Sequence, residues 1–232
     1  MSNNPYDVPT EKVTDKVHSL TKGSLGAIPL AGSIASELFN MVVSPPIEKR
    51  RNEWMESVGQ GLLALEVKIE NLEEKLSNDN RFIDIALQAS VIALRTSQKE
   101  KLEALKNVIL NIANGQTIDE SLQIMFLSFI EGFTIWHIRL LDLFSNPKEW
   151  LSKHGKNVGE YMSGSKTIVL EVAYPELARE RTLYDLVWKD LYAKGLVVND
   201  SLHVMMTSTG IFEKATSTFG DKFLNFIKSP IE

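Results

Sequence analysis

Cysteine is missing from all 232 residues of the chain. Without thiols there are no disulfides, no zinc–thiolate or iron–sulfur centres and no cysteine nucleophile. The absence fits a reducing compartment. The first 16 residues are polar and lack the apolar core of a secretory signal, so we expect a cytoplasmic protein.

The chain also has no excess of positive charge. The chain has 25 Lys and Arg residues against 30 Asp and Glu residues, a formal net charge of −5. Residues 174–232 hold seven basic and eight acidic side chains, which gives 7 − 8 = −1. DNA binding needs a basic surface to meet the phosphates. Nucleic acid is therefore not the partner that we expect.

Recognisable catalytic motifs are also missing. No two of the four histidines lie three or four positions apart, so a metal site on one helix has no local support. A phosphate-binding loop needs lysine directly after its second glycine, but Ser165 separates Gly164 from Lys166. No G-x-S-x-G sequence occurs. We therefore predict no enzyme, no cofactor and no metal.

One group of polar residues is a candidate cleft. Glu131, His137 and Arg139 fall on the same predicted helix, beside Trp136. The alternative interpretation is that His137 lies at the edge of the core and forms a hydrogen bond or meets solvent.

Apolar residues recur every three or four positions over most of the chain, which is typical of amphipathic helices. A heptad-like seam runs through Val58, Leu62, Leu65, Ile69, Leu72 and Leu76, on a helix predicted to begin at Ser44-Pro45-Pro46. Residues 81–94 are apolar all round, which predicts a central, buried helix. A further stripe runs from Ile118 to Leu143. We predict a loose tail at 1–9 and an antiparallel helical bundle at 10–154.

The pattern changes after Gly155. Residues 167–172 (TIVLEV) predict a short strand, residues 182–194 a helix that Gly195 ends, and residues 203–207 a second β-like stretch. A last helix follows Thr216. This order predicts a small α+β module at 155–232, so the fold class is mainly α with a winged-helix-like module at the C-terminus.

Two stretches resemble known proteins. The segments FIDIALQASVIALRTSQKEKLEALKNVILN (82–111) and FTIWHIRLLDLF (133–144) resemble a family of uncharacterised bacterial helical proteins. The segments DLYAKGLV (190–197) and TSTFGDKFLNFI (216–227) resemble the close of winged-helix modules. The resemblance implies a fold but no activity.

The stretch LGAIPLAGSIASELFNMVV (25–43) is rich in small and apolar residues, and Glu37 is its only charge. Its length approaches that of a bilayer core, and a basic run follows it. Three interpretations stay open: buried core, oligomer interface or membrane-inserting segment. The candidate partner or membrane residues are Ile28, Leu30, Ile34, Leu38, Phe39, Lys49, Arg50 and Arg51.

Three hypotheses for function follow. The first is a non-catalytic protein that binds a partner protein or itself. The second is a membrane-acting effector of bacterial conflict or defence that uses residues 25–43. The third is a transcriptional regulator that uses the winged-helix-like module.

Overall fold

A computed structural model describes the backbone of residues 33–159 and 162–231, and the side chains of these residues from 46 onward. Residues 50–232 form one compact unit. The described part is mainly helical, with ten α-helices and one two-stranded sheet. The helices are α1 (Ser33–Glu66), α2 (Leu72–Ser77), α3 (Asn80–Leu94), α4 (Lys99–Ala113), α5 (Glu120–Gly132), α6 (Ile135–Ser145), α7 (Pro147–Lys153), α8 (Lys166–Ala173), α9 (Arg181–Ala193) and α10 (Thr218–Ile227). The strands are β1 (Ser163–Gly164) and β2 (Met206–Thr207), and 3₁₀ turns occupy Pro175–Leu177 and Gly210–Phe212.

Helix α1 departs from the sequence prediction at both ends. It begins at Ser33, so the expected start at Ser44-Pro45-Pro46 is wrong, and it ends at Glu66 rather than near Leu76. Asn71 then adopts a left-handed backbone conformation with φ 57°, which separates α1 from α2. This break lets Leu65 and Leu72 pack around Leu110 in one small cluster. The apolar seam is thus divided between two helices.

Helix α4 is the central helix of residues 50–232. It packs against α3, α5, α6 and α10, and its residues Leu105, Val108 and Ile109 are almost completely buried. The prediction that residues 81–94 form the central buried helix is wrong. Helix α3 covers one side of α4 and leaves its own outer face in solvent.

The stripe predicted from Ile118 to Leu143 forms two helices, α5 and α6, whose axes differ by 116°. Helix α5 ends at Gly132, and Thr134 caps the start of α6. Together the two helices have the length and apolar character of a membrane span, but no single helix among the described residues does. Phe126, Ile130, Leu140 and Phe144 of this pair are completely buried in the core.

Residues 166–173 form helix α8, so the predicted strand at 167–172 is wrong. The β-branched residues favoured a strand, but Lys166, Val169, Leu170 and Ala173 share one buried helical face instead. The sheet consists of Ser163 paired with Thr207 and Gly164 paired with Met206, in antiparallel register. A single bridge joins Val197 to Thr216.

One continuous core crosses the boundary predicted near residue 155. Phe126 of α5 contacts three aromatic rings of α10, those of Phe219, Phe223 and Phe226, with ring centroids 5.2–5.5 Å apart. Phe144 of α6 packs edge to face on Trp188 of α9. The bundle and the C-terminal elements therefore share one interior within residues 50–232.

Candidate functional site

The outer face of α3 exposes a row of large aliphatic side chains. Ile83, Leu87 and Val91 are 38%, 54% and 51% exposed, and their spacing of four places them on one side of the helix. The opposite side of α3 buries Ile85, Ala89, Ile92 and Ala93. The outer side of α3 therefore carries an apolar row beside the exposed Asp84 and Gln88, and within the described residues this row is not covered. We call Ile83, Leu87 and Val91 the α3 face.

The predicted partner or membrane segment lies largely outside what the structure describes. Ile28 and Leu30 precede the first described residue. Ile34, Leu38 and Phe39 belong to α1, but their side chains are not described. Lys49 and Arg50 are exposed and Arg51 is partly buried, all on the same helix. The role of residues 25–43 stays a prediction.

Glu131 lies at the end of α5 and pairs with Arg95, with 2.9 Å between Nη1 and Oε1. Its backbone carbonyl accepts a hydrogen bond from the buried Lys101, whose Nζ also donates to the carbonyl of Phe133. These two bonds, at 2.8 and 2.9 Å, satisfy carbonyls at the C-terminus of α5 that have no partner in the helix. Burial lowers the pKa of Lys101. This arrangement holds the bend between α5 and α6.

His137 joins α6 to α9. Its Nδ1 accepts a hydrogen bond from the backbone N–H of Thr134 at 3.1 Å, which completes a capping box at the start of α6. Its Nε2 lies 3.2 Å from Oδ2 of Asp190, and its ring stacks on Phe133 with centroids 4.6 Å apart. Burial lowers the pKa of His137, although the Asp190 carboxylate opposes this shift. The contacts match the alternative interpretation, a hydrogen-bonded histidine at the edge of the core.

The side chain of Arg139 contacts α4, whereas that of His137 contacts α9. Its Nη2 donates to the carboxylate of Glu100, and its guanidinium lies 5.0 Å from the ring centroid of Trp136. The hydrogen bond from Arg139 lowers the pKa of Glu100. Glu131, His137 and Arg139 thus pair with three different side chains, those of Arg95, Asp190 and Glu100.

Arg139 lines a cleft of about 600 Å³. The cleft lies between α4, α6 and α7, and Tyr174 and the end of α10 also line it. Because its residues come from distant segments, no single stretch of the sequence predicts it. Its carboxylates are Glu100, Glu103, Asp142 and Glu149, and its cationic side chains are Arg139, Lys153 and Lys228. Trp150 and His154 also line the cleft, with their rings stacked at 3.7 Å. We call this the α4–α7 cleft.

Lys166 has no access to a bound phosphate. It is 3% exposed, and its Nζ donates to the backbone carbonyls of Gly210, Ile211 and Glu213. The sequence analysis predicted a strand directly after this lysine. That prediction is wrong, because Lys166 is the first residue of helix α8. The lysine instead fastens the 3₁₀ turn to α8. Burial lowers the pKa of Lys166 to about 8.

Asparagines of α4 fasten the last helix in a similar way. The Nδ2 of Asn111 donates to the carbonyls of Phe226 at 3.0 Å and Lys228 at 2.8 Å, and the Nδ2 of Asn107 donates to that of Ile227 at 3.0 Å. Several of the buried polar side chains therefore cap helix ends, which accounts for their burial without any catalytic role.

No group of three or more His, Cys, Asp or Glu side chains able to hold a metal ion occurs within residues 33–159 and 162–231. In comparisons with known proteins, no protein-family model, curated protein or solved structure matches the chain.

Proposed function

We propose that this protein is a non-catalytic interaction protein that self-associates through the α3 face. The observation that carries the proposal is the row formed by Ile83, Leu87 and Val91, each between 38% and 54% exposed on one side of one helix. A helix that is apolar on both sides is stable when both sides are covered. A row of exposed aliphatic side chains on one helix therefore favours a contact surface.

The energy of this contact follows from the exposed side chains. Full burial of a large aliphatic side chain stabilises by about 1.5–3 kcal/mol, so each half-exposed member of the α3 face gains roughly 1 kcal/mol. Six such side chains, three from each copy, contribute roughly 6 kcal/mol. Loss of rotational and translational freedom costs about 4–15 kcal/mol on association. The α3 face alone therefore leaves a net gain of at most about 2 kcal/mol, so a dimer that forms through it needs further contacts beside the three side chains.

A second copy of the chain fits this face better than a strongly charged partner. A ridge of residues spaced by four packs into the groove beside the same ridge of another helix, so the face is complementary to itself across a two-fold axis. Helix α3 contains one basic and one acidic residue, Arg81 and Asp84. Two copies therefore meet without like-charge repulsion at this helix, although each whole chain carries −5.

Sedimentation velocity over a range of protein concentrations tests the proposal. The wild type is expected to shift from monomer to dimer as concentration rises, and Leu87→Asp to stay monomeric because the new carboxylate would be buried in the contact. Leu63→Asp is the matched control, since Leu63 is also a leucine, is 63% exposed on α1 and is not part of the α3 face. A wild type that stays monomeric at every concentration, or equal shifts in the two variants, would overturn it.

We also propose that residues 155–232 form a winged-helix-like module that contacts protein. The order of helix α9, Gly195, the Val197–Thr216 bridge and helix α10 supports this interpretation. Helix α9 presents Leu183 and Leu186 to solvent, which suits an apolar contact better than a phosphate backbone. A gel-shift titration against salt distinguishes the regulator hypothesis, because binding to DNA would weaken steeply as salt rises.

Membrane action is the second candidate function. The observation that favours it is that α1 runs unbroken from Ser33 to Glu66, so residues 33–43 and the basic residues 49–51 share one helix. Flotation with anionic phospholipid vesicles tests it, with Arg50→Glu expected to weaken binding. Absence of wild-type protein from the vesicle fraction, at low as well as high salt, would refute it.

A further inference from the structure

The α4–α7 cleft has the size of a site for a small ligand or a short peptide. Its volume of about 600 Å³ lies within the range of known ligand pockets. It opens between α4, α6 and α7, and most of its lining residues lie on these helices and on α10. Neither the α3 face nor the exposed side of α9 contributes a lining residue.

Each carboxylate in this cleft has a cationic partner. Four carboxylates line it beside three Lys and Arg side chains, and Glu103 pairs at 2.6 Å with Lys106, which lies outside the lining. Glu100 is engaged by Arg139, but Asp142 meets Lys228 at 3.4 Å and Glu149 meets Lys153 at 3.5 Å. The side chains of these lysines are 52% and 70% exposed, and such surface pairs contribute little energy. Asp142 can therefore exchange its lysine for a ligand at small cost, and Glu149 can do so while it keeps the hydrogen bond that Nδ2 of Asn146 donates at 2.6 Å.

Aromatic rings form the other part of the wall. Trp150 and Tyr174 lie with their ring centroids 5.3 Å apart at 56°, and both line the cleft. Trp136 packs edge to face behind Tyr174 at 5.4 Å and holds that ring in place. A cation within about 6 Å of an aromatic face is attracted by the ring electrons. Aromatic rings beside carboxylates therefore attract an organic cation both through the ring electrons and through the negative charge.

An acceptor without a partner lies among the lining residues. Asn107 is 6% exposed, and its Nδ2 donates to the carbonyl of Ile227. Its Oδ1 has no hydrogen-bond partner among the described residues. A buried acceptor of this kind is costly unless a donor satisfies it. The group that the cleft lacks is thus a hydrogen-bond donor.

The electrostatic environment of Tyr174 agrees with this requirement. Burial raises the pKa of the Tyr174 hydroxyl, and the nearby carboxylates of Asp142, Glu176 and Glu100 raise it further against the opposing effect of Arg139. Tyr174 therefore lies near three carboxylates and one guanidinium.

We propose that the α4–α7 cleft binds an organic ammonium group, either that of a free polyamine or that of a lysine side chain in a basic peptide. Asp142 and Glu149 pair with the positive charge, and Trp150 and Tyr174 cover its alkyl carbons. Ammonium is rich in donors and needs no acceptor of its own, which matches a wall of carboxylates, an unsatisfied amide oxygen and aromatic faces.

Isothermal titration calorimetry with the full chain tests this proposal with two probes, spermidine and a lysine-rich peptide. Binding of either probe supports the proposal, and the probe that binds more tightly identifies the source of the ammonium group. Spermidine acetylated on its primary amines is the control ligand, and it should bind at least tenfold more weakly because charged hydrogen bonds are lost. Affinity should also fall as salt rises.

Variants separate this cleft from the general negative charge of the chain. Asp142→Asn and Glu149→Gln remove charge from exposed side chains and are expected to weaken binding about tenfold each. Glu73→Gln on the exposed side of α2 is the matched control and should leave the affinity unchanged. No heat of binding with either probe, or equal losses in Glu73→Gln and Asp142→Asn, would overturn the proposal.

Discussion

Glycine at position 220 sets how closely α10 approaches the backbone after α9. A Cβ atom on this residue would lie 2.1 Å from the carbonyl oxygen of Leu196 and 3.0 Å from its carbonyl carbon. Leu196 has little freedom to move away. Its N–H donates to the carbonyl of Leu191 at 2.9 Å, and its own carbonyl accepts from the N–H of Ser217 at 3.0 Å. Gly220→Ala therefore forces α10 outward.

The cost follows from what α10 buries. Phe223, Leu224, Phe226 and Ile227 are all in the core, so an outward shift opens gaps beside each of them. Overpacking a core costs about 1–3 kcal/mol, and because the clash here is with backbone we expect about 3 kcal/mol for Gly220→Ala. For a chain of this length, that loss lowers the melting temperature by about 6–12 °C.

Thermal unfolding followed by circular dichroism measures the effect, and a urea titration gives the free energy of unfolding independently. Gly59→Ala is the matched control, because Gly59 lies inside helix α1 with no atom within 4 Å of its added Cβ. There alanine should stabilise by about 0.5–1 kcal/mol through its better helix propensity. A Gly220→Ala protein as stable as the wild type would refute the close packing of α10 on Leu196.

Three further predictions concern buried polar side chains. Asn111→Leu leaves the carbonyls of Phe226 and Lys228 without their donor and should lower the free energy of unfolding by about 2 kcal/mol in urea titrations, whereas the exposed Asn114→Leu should change it by less than about 0.5 kcal/mol. The pKa of Lys166 is about 8 in the folded protein and 10.5 in the unfolded chain, so the unfolded state binds more protons between these two values. The free energy of unfolding should therefore rise with pH from about 8 to 10.5. Lys166→Met should flatten this rise, and an unchanged slope would contradict the burial of Lys166. The pKa of His137 in the folded protein lies below its ordinary value of 6.5, so the free energy of unfolding should fall as pH drops through 6.5. The charged groups that face His137 are Asp190 and Lys194. In urea titrations at several pH values, His137→Gln should show a smaller loss of stability at low pH.

The helical character of the chain follows from its sequence, because apolar residues spaced by three and four mark amphipathic helices in any context. The break between α5 and α6 also had a local signal. Thr134 and His137 have the spacing of a capping box, but the continuous apolar stripe concealed it. Helix α8 had a misleading local signal, since Thr167, Ile168 and Val169 are β-branched and favour a strand in isolation.

The candidate sites depend on contacts that no local pattern contains. The cleft brings Glu100 and Arg139 together across 39 positions, and it adds the end of α10 from a still more distant segment. The sequence did not predict the α3 face either, for a different reason. Its composition predicted burial on all sides, and only the packing of α3 on α4 shows which side is covered.

The bonds from Asn111 to the last helix join residues 115 positions apart, and this distance has a consequence for synthesis of the chain. Helix α4 is synthesised before α10, which covers one of its sides. The side of α4 that bears Leu105 and Ile109 is therefore covered only after residues 218–227 have been made, so the core closes late in folding. A fragment ending before Thr218 would keep that surface in water and would be prone to aggregate.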